Sequence, residues 1–197
     1  MKKSLFDKMH GFYDFYMMVF NQYRRENVID ILCPERSEKI LDIGGGTGYV
    51  SSKIQHLCKE LHLIDMSINM LKVAKKKGIK NVEIASCYSM PFSNGTFDAI
   101  ILTDVIHHLN NHSQLISEIK RVLKVGGKLI VYDFDFEKKM TKLISKWESL
   151  FFRDLQFVEK KTFLRYLSES GFNIKNELSK SNWFILLAEK TKGEYHG

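Results

Sequence analysis

The feature that most constrains this chain is the stretch Lys39-Ile40-Leu41-Asp42-Ile43-Gly44-Gly45-Gly46-Thr47-Gly48, an apolar run that enters a glycine-rich turn and continues into a helical pattern. A short apolar run bounded by glycines reads as a buried strand. The glycines let the backbone turn sharply and let a ligand reach the main chain without meeting Cβ atoms, while the helix that follows offers unpaired N–H groups. That is the layout of a nucleotide-cofactor site. A dinucleotide fingerprint, G-x-G-x-x-G, would place its third glycine at Tyr49 when counted from Gly44; the loop instead reads G-x-G-x-G. Asp42 stands two residues ahead of the loop, where a carboxylate would repel a pyrophosphate and suit a positively charged ligand. About twenty residues further on, a second strand ends at Asp65, whose carboxylate can accept from both hydroxyls of a ribose. Either acid could instead cap a turn or helix. The glycine loop between them, at this spacing, favours the ligand site.

The rest of the chain supports an α/β reading. Strand-like runs fall at Lys39 to Gly44, Leu61 to Asp65, Val82 to Cys87, Phe97 to Thr103, Lys128 to Tyr132, Phe172 to Leu178 and Trp183 to Glu189. Helical patterns at Met70 to Lys77 and Leu115 to Leu123 alternate with the first five, which is how parallel strands joined by crossover helices read. Ser179 to Asn182 is too short for a crossover, so the last two strands form an antiparallel hairpin and the sheet ends in a reversed edge. The expectation is a single domain over 1–197 with a doubly wound, seven-stranded sheet, mostly parallel with the last strand antiparallel. Residues 1–33 read as an aromatic helical cap, 36–135 as the cofactor-binding core, 134–160 as a helical insertion or lid, and 162–190 as a helix with the C-terminal hairpin.

Composition excludes several classes. A chain of 197 residues, 44% hydrophobic and with two prolines, buries one core and is neither disordered nor fibrous. Cys33, Cys58 and Cys87 are odd in number and never paired as C-x-x-C, so neither a disulfide framework nor a metal site is expected, and a reducing cytoplasmic setting fits. Asp7, Lys8, His10 and Asp14 interrupt any apolar run long enough for a signal peptide or membrane span. The net charge of +7 would suit nucleic acid. Yet the cluster Lys72, Lys75, Lys76, Lys77 and Lys80 reads as the solvated face of one helix, and no nucleic-acid partner is expected.

The loop Asp42 to Gly48, Asp65, Met90-Pro91-Phe92 followed by Phe97-Asp98, the run His107-His108-Leu109 and Leu123-Lys124-Val125-Gly126-Gly127 together resemble the class I methyltransferases of the small-molecule "type 11" group. Order and spacing match over 36–135, and the strand pattern resembles that family's Rossmann-like fold through residue 190. The resemblance implies S-adenosylmethionine as cofactor and S-adenosylhomocysteine as product. It places Gly44, Gly46 and Gly48 against the amino-acid end of the cofactor, Asp65 on the ribose and Met66 over the adenine, and counts Asp42 and Gly45 among the cofactor-binding residues. Ser86 and Cys87 fall where family members often carry an acid for the adenine amino group; that acid is absent here. Thr103 and Asp104 would border the sulfonium and the incoming substrate.

The implied activity is methyl transfer to an oxygen, nitrogen or carbon atom of a small molecule. A sulfonium is already a good leaving centre, so the protein mainly aligns the nucleophile and removes a proton where there is one. His107, beside His108, is the candidate base, since imidazole is best suited to take a proton at neutral pH. Thr103-Asp104-Val105-Ile106 lacks the Pro-Pro-aromatic motif of nucleobase amine methylation, and no Pro-Cys pair exists for attack on a pyrimidine. Phe12-Tyr13-Asp14 loosely resembles the opening of quinone-biosynthesis methyltransferases, and an apolar or aromatic acceptor would suit the aromatic N-terminal segment. The rivals are a non-catalytic cofactor-binding regulatory domain, an NAD-dependent oxidoreductase and an RNA methyltransferase. Sequence alone leaves the oligomeric state open.

Overall fold

The structure, a computed structural model, describes residues 27–135, 159–180 and 183–192. Almost all of the expected N-terminal cap and of the 134–160 insertion lies outside them.

Seven strands form one sheet: β1 Lys39–Ile43, β2 Glu60–Asp65, β3 Asn81–Ile84, β4 Phe97–Thr103, β5 Leu123–Phe134, β6 Phe172–Ser179 and β7 Trp183–Lys190. Helices α1 Tyr49–Ile54, α2 Ile68–Lys76, α3 His112–Val122 and α4 Lys160–Glu169 connect them, with a 3₁₀ turn at Ile106–His108. The spatial order is β3-β2-β1-β4-β5-β7-β6. The first five strands pair in parallel, β7 pairs antiparallel with β5, and β6 pairs antiparallel with β7.

Alternation along the strands divides the core into two layers, as a sheet covered on both faces requires. Leu41, Ile43, Ile100, Leu102, Leu129 and Val131 pack on one face with Leu115, Ile116, Ile119 and Val122 of α3 and with Phe163 and Leu167 of α4. Ile40, Leu61, Leu63, Ile101, Ile130 and Tyr132 pack on the other with Val50 and Ile54 of α1, Leu71 and Ala74 of α2, and Val28 and Leu32.

The hairpin forms as expected, but the reversed strand is not an edge: β7 lies between β5 and β6. Its run Trp183-Phe184-Ile185-Leu186 is buried on both faces and needs neighbours on both sides, whereas β6 is exposed along most of its length and takes the edge. Strand β3 ends at Ile84 and not at Cys87, because the chain turns at Ser86, whose Oγ accepts from the Tyr88 N–H at 3.2 Å. Strand β5 begins five residues early, at Leu123, and reaches β4 through an irregularity in register between Phe97 and Ala99.

Candidate functional site

Strand order reverses between β1 and β4, and a crevice opens beyond the carboxyl ends of such strands. A cavity of about 320 Å³ lies there, lined by the ends of β1 and β2, the segment after β3 and the turn after β4.

The β1–α1 loop forms its floor. Gly44 and Gly46 adopt φ of +65° and +56°, a region that favours glycine. A Cβ on Gly44 would stand 2.7 Å from Val105 Cγ2, so the two loops touch backbone to side chain; a Cβ on Gly46 would meet nothing closer than 4.0 Å and would project into the cavity space. The Gly46 N–H donates to Asp65 Oδ2 at 3.0 Å, and the Ser67 N–H donates to Asp65 Oδ1 at 2.7 Å. The Asp65 carboxylate is thus fixed by two backbone donors, with lone pairs to spare for a ligand. Burial pushes its pKa above the usual range against the lowering effect of those bonds. Ser67 also caps α2, its Oγ accepting from the Met70 N–H. Met66, 70% exposed, stands at the rim.

The opposite wall is the turn after β4. Asp104 is buried at φ +57°, unusual for a residue with a side chain, and its N–H donates to the Tyr132 carbonyl at 2.9 Å. Val105, His108 and Leu109 follow it along the wall. Desolvation, reinforced by the adjacent His107, holds the His108 imidazole down to about 3, so it is neutral at physiological pH. His107 is turned away. Its Nδ1 lies 2.6 Å from Asp133 Oδ1, it is 3% exposed, and its ring centroid lies 3.9 Å from that of His108 with the two planes tilted by 46°. Asp133, fully buried on β5, also accepts from the Ile106 N–H at 2.8 Å and the Phe134 N–H at 2.7 Å. It therefore anchors the whole turn.

Of the residues read from sequence, Gly44, Gly46, Asp65, Met66 and Cys87 line the cavity together with Asp104 and His108. Asp42, Gly45, Gly48, Ser86, Thr103 and His107 do not. Asp42 points beneath the loop, where it accepts from Ser51 Oγ at 2.6 Å. A Cβ on Gly45 would strike the Asp42 carboxyl at 2.7 Å and one on Gly48 would strike Ile79 Cδ1 at 2.2 Å, so both serve loop packing. Cys87, its thiol pushed up to about 11 by burial, and Ala85 give the rim near Met66 an apolar lining. Sequence reading missed Asp133; nothing near it in the chain marks it as the partner of a histidine 26 residues away.

Residues 41–131 match the family model described as a methyltransferase domain. Over those residues the chain is similar to a methyltransferase domain. It is 36% identical over 141 residues to a protein of Methanocaldococcus jannaschii, covering 68% of this chain and 65% of that one. It is 30% identical over 131 residues to the ubiquinone/menaquinone biosynthesis C-methyltransferase UbiE of Cronobacter sakazakii, covering 60% and 52%. The chain thus spans roughly half to two-thirds of the length of these curated relatives. Its fold matches that of geranyl diphosphate C-methyltransferase from Streptomyces coelicolor, solved with Mg²⁺, geranyl diphosphate and S-adenosyl-L-homocysteine, at a TM-score of 0.75 and 13% identity over 86% of this chain and 79% of that one. Geranyl diphosphate methyltransferase is solved with S-adenosyl-L-homocysteine and with sinefungin, both analogues of S-adenosylmethionine. The cavity fits S-adenosylmethionine on this structure's own terms: the Gly46 side of the floor leaves room for a ligand to lie on the main chain, and a backbone-held carboxylate stands beside it. Among the described residues no helix is long and apolar enough to cross a membrane, and no cluster of His, Cys, Asp and Glu could hold a metal.

Proposed function

We propose that this chain transfers the methyl group of S-adenosylmethionine to an oxygen, nitrogen or carbon atom of a small molecule. The observation that carries this reading is the pairing, across one cavity, of the Asp65 carboxylate fixed by Gly46 and Ser67 with the Asp104-to-Leu109 turn fixed by Asp133. One wall is built to hold a nucleoside, and the other to present an acceptor.

When bound, S-adenosylmethionine supplies an electrophilic methyl group on a positively charged sulfur. Asp65 would accept from the ribose hydroxyls, and Gly44 and Gly46 would let the amino-acid end lie on the main chain. Met66, Ala85 and Cys87 would take the adenine by apolar contact. Val105 and Leu109 would keep water from the reacting centre. His107, the base expected from sequence, is buried against Asp133 and reaches the cavity only through His108. His108 titrates far below neutral pH and is a poor proton acceptor there, because a general base works best near the operating pH. Its part is to stay neutral and orient the acceptor by hydrogen bonding. Favoured acceptors therefore arrive already nucleophilic, such as a phenolate, an activated carbon or a free amine.

Incubation with radiolabelled S-adenosylmethionine and a panel of phenols, quinols, amines and RNA tests the reading. Label transfer to one small-molecule class, with stoichiometric S-adenosylhomocysteine, is expected. Transfer to RNA alone, or cofactor binding with no transfer to any class, would contradict it.

A further inference from the structure

Among the described residues five large hydrophobic side chains stand exposed, and three of them, Met66 (70%), Ile68 (49%) and Ile84 (57%), lie together at one corner of the molecule. Ile84 ends β3 and pairs in register with Asp65, the residue ahead of Met66. Its side chain projects on the face that carries α2, because Val82, two residues before it, packs there against the core that holds Leu71 and Ala74. Ile68 opens α2 on that same face, and Met66 also lines the cavity. Single exposed hydrophobics are ordinary, whereas a cluster at the mouth of a cavity marks a surface that meets something apolar.

The charge beside this cluster has one sign. Residues 66–82 contain Lys72, Lys75, Lys76, Lys77 and Lys80 and no Asp or Glu. Buried Met70, Leu71 and Ala74 fix the inward face of α2, and helical spacing turns Ile68, Lys72, Lys75 and Lys76 outward. Lys72, Lys75, Lys76 and Lys80 are exposed, and no ion pair joins any of them to another described residue. The acid of β3, Glu83, points to the other face of the sheet, where it lies 3.7 Å from His62. A face built for RNA would set aromatic rings among such lysines for the bases to stack on, and this cluster contains no ring. Apolar side chains flanked by lysines suit an anionic bilayer, the first entering the acyl boundary and the second resting among the headgroups.

We propose that this corner, Met66, Ile68 and Ile84 with the outward side of α2, docks the protein on an anionic lipid surface and sets the cavity mouth against it. Docking needs neither cofactor nor acceptor, so it stands apart from the proposed function. Together with that function, it would give an acceptor dissolved in the bilayer a short path to the cavity.

The test is sedimentation of the full chain with vesicles of equal parts phosphatidylcholine and phosphatidylglycerol, and with vesicles of phosphatidylcholine alone. Binding to the anionic vesicles is expected to be at least about tenfold tighter than to the neutral ones. Lys72→Gln combined with Lys76→Gln is expected to weaken it about tenfold, since each lysine near such a surface contributes severalfold. Ile68→Ser combined with Ile84→Ser keeps every charge and is expected to weaken it about tenfold as well. Lys161→Gln combined with Lys175→Gln removes the same charge from α4 and β6, toward the opposite edge of the sheet, and is expected to change binding less than about twofold. All the substituted side chains are exposed, so each variant is expected to melt with the wild type. No binding to anionic vesicles, equal binding to both kinds, or equal loss in the Lys161 and Lys175 variant would overturn the proposal. So would an isoleucine variant that binds as wild type does, or single-stranded RNA bound in place of vesicles.

Discussion

At the scale of single residues, Asp133 shows how a group remote from the ligand shapes the site. It is fully buried and accepts from His107, Ile106 and Phe134. Removing its carboxylate would take from the buried His107 ring and Ile106 N–H the acceptor they share. Asp133→Ala is therefore expected to lower stability by about 3 kcal/mol, and Asp133→Asn by less, because the amide keeps one acceptor. Urea melts measure both, and a loss under about 1 kcal/mol in the alanine variant would remove Asp133 from its anchoring role. The sequence marked Asp65, Gly44 and Gly46 because a local spacing carried them. It left Asp133 unmarked because the contact with His107 is made by the pairing of β4 with β5, which no local pattern records. The His107-His108 pair stood out, but burial against Asp133 is what turns His107 away and leaves His108 on the cavity.

At the scale of elements, helix α3 is tied to the segment that follows β3. Glu118 accepts from the Met90 N–H at 2.9 Å and pairs with Arg121, which donates to the carbonyls of Met90 and Phe92. The Arg121 guanidinium holds the Glu118 carboxyl below its usual value of 4.5. A group whose folded pKa is depressed contributes stability that is present above its unfolded pKa and is lost as pH falls through the folded one. Glu118→Gln is accordingly expected to cost about 1 to 2 kcal/mol at pH 7. The gap from wild type should narrow as pH drops below about 4.5. Denaturant midpoints at pH 7 and pH 3 give the comparison, and a gap that does not change with pH would contradict the ion-pair account. The elements themselves were largely legible: the pattern along the chain located every described strand and each of the four helices that connect them, with boundaries shifted by a few residues. The position of the reversed strand was misread even though its signal was present. Four consecutive apolar residues at Trp183 to Leu186 belong to a strand with neighbours on both sides, while Asn173, Lys175 and Glu177 mark β6 as the rim.

At the scale of the whole molecule, the fold puts the glycine loop, the end of β2 and the turn after β4 around one cavity at the point where strand order reverses, though these segments are far apart in the chain. The proposed function makes this cavity the S-adenosylmethionine site and Asp65 its anchor. Isothermal titration of wild-type protein and Asp65→Ala with S-adenosylhomocysteine, run beside a denaturant melt of each, tests it most directly. Each charge-assisted hydrogen bond to the ribose is worth about 1.5 to 3 kcal/mol, part of which water and local rearrangement recover. The expected result is one-to-one binding by the wild-type protein and a thirty- to hundredfold weaker dissociation constant in the variant, or about 2 to 3 kcal/mol, with NAD giving no heat in either. An affinity unchanged by Asp65→Ala, or binding of NAD in preference to S-adenosylhomocysteine, would contradict the assignment.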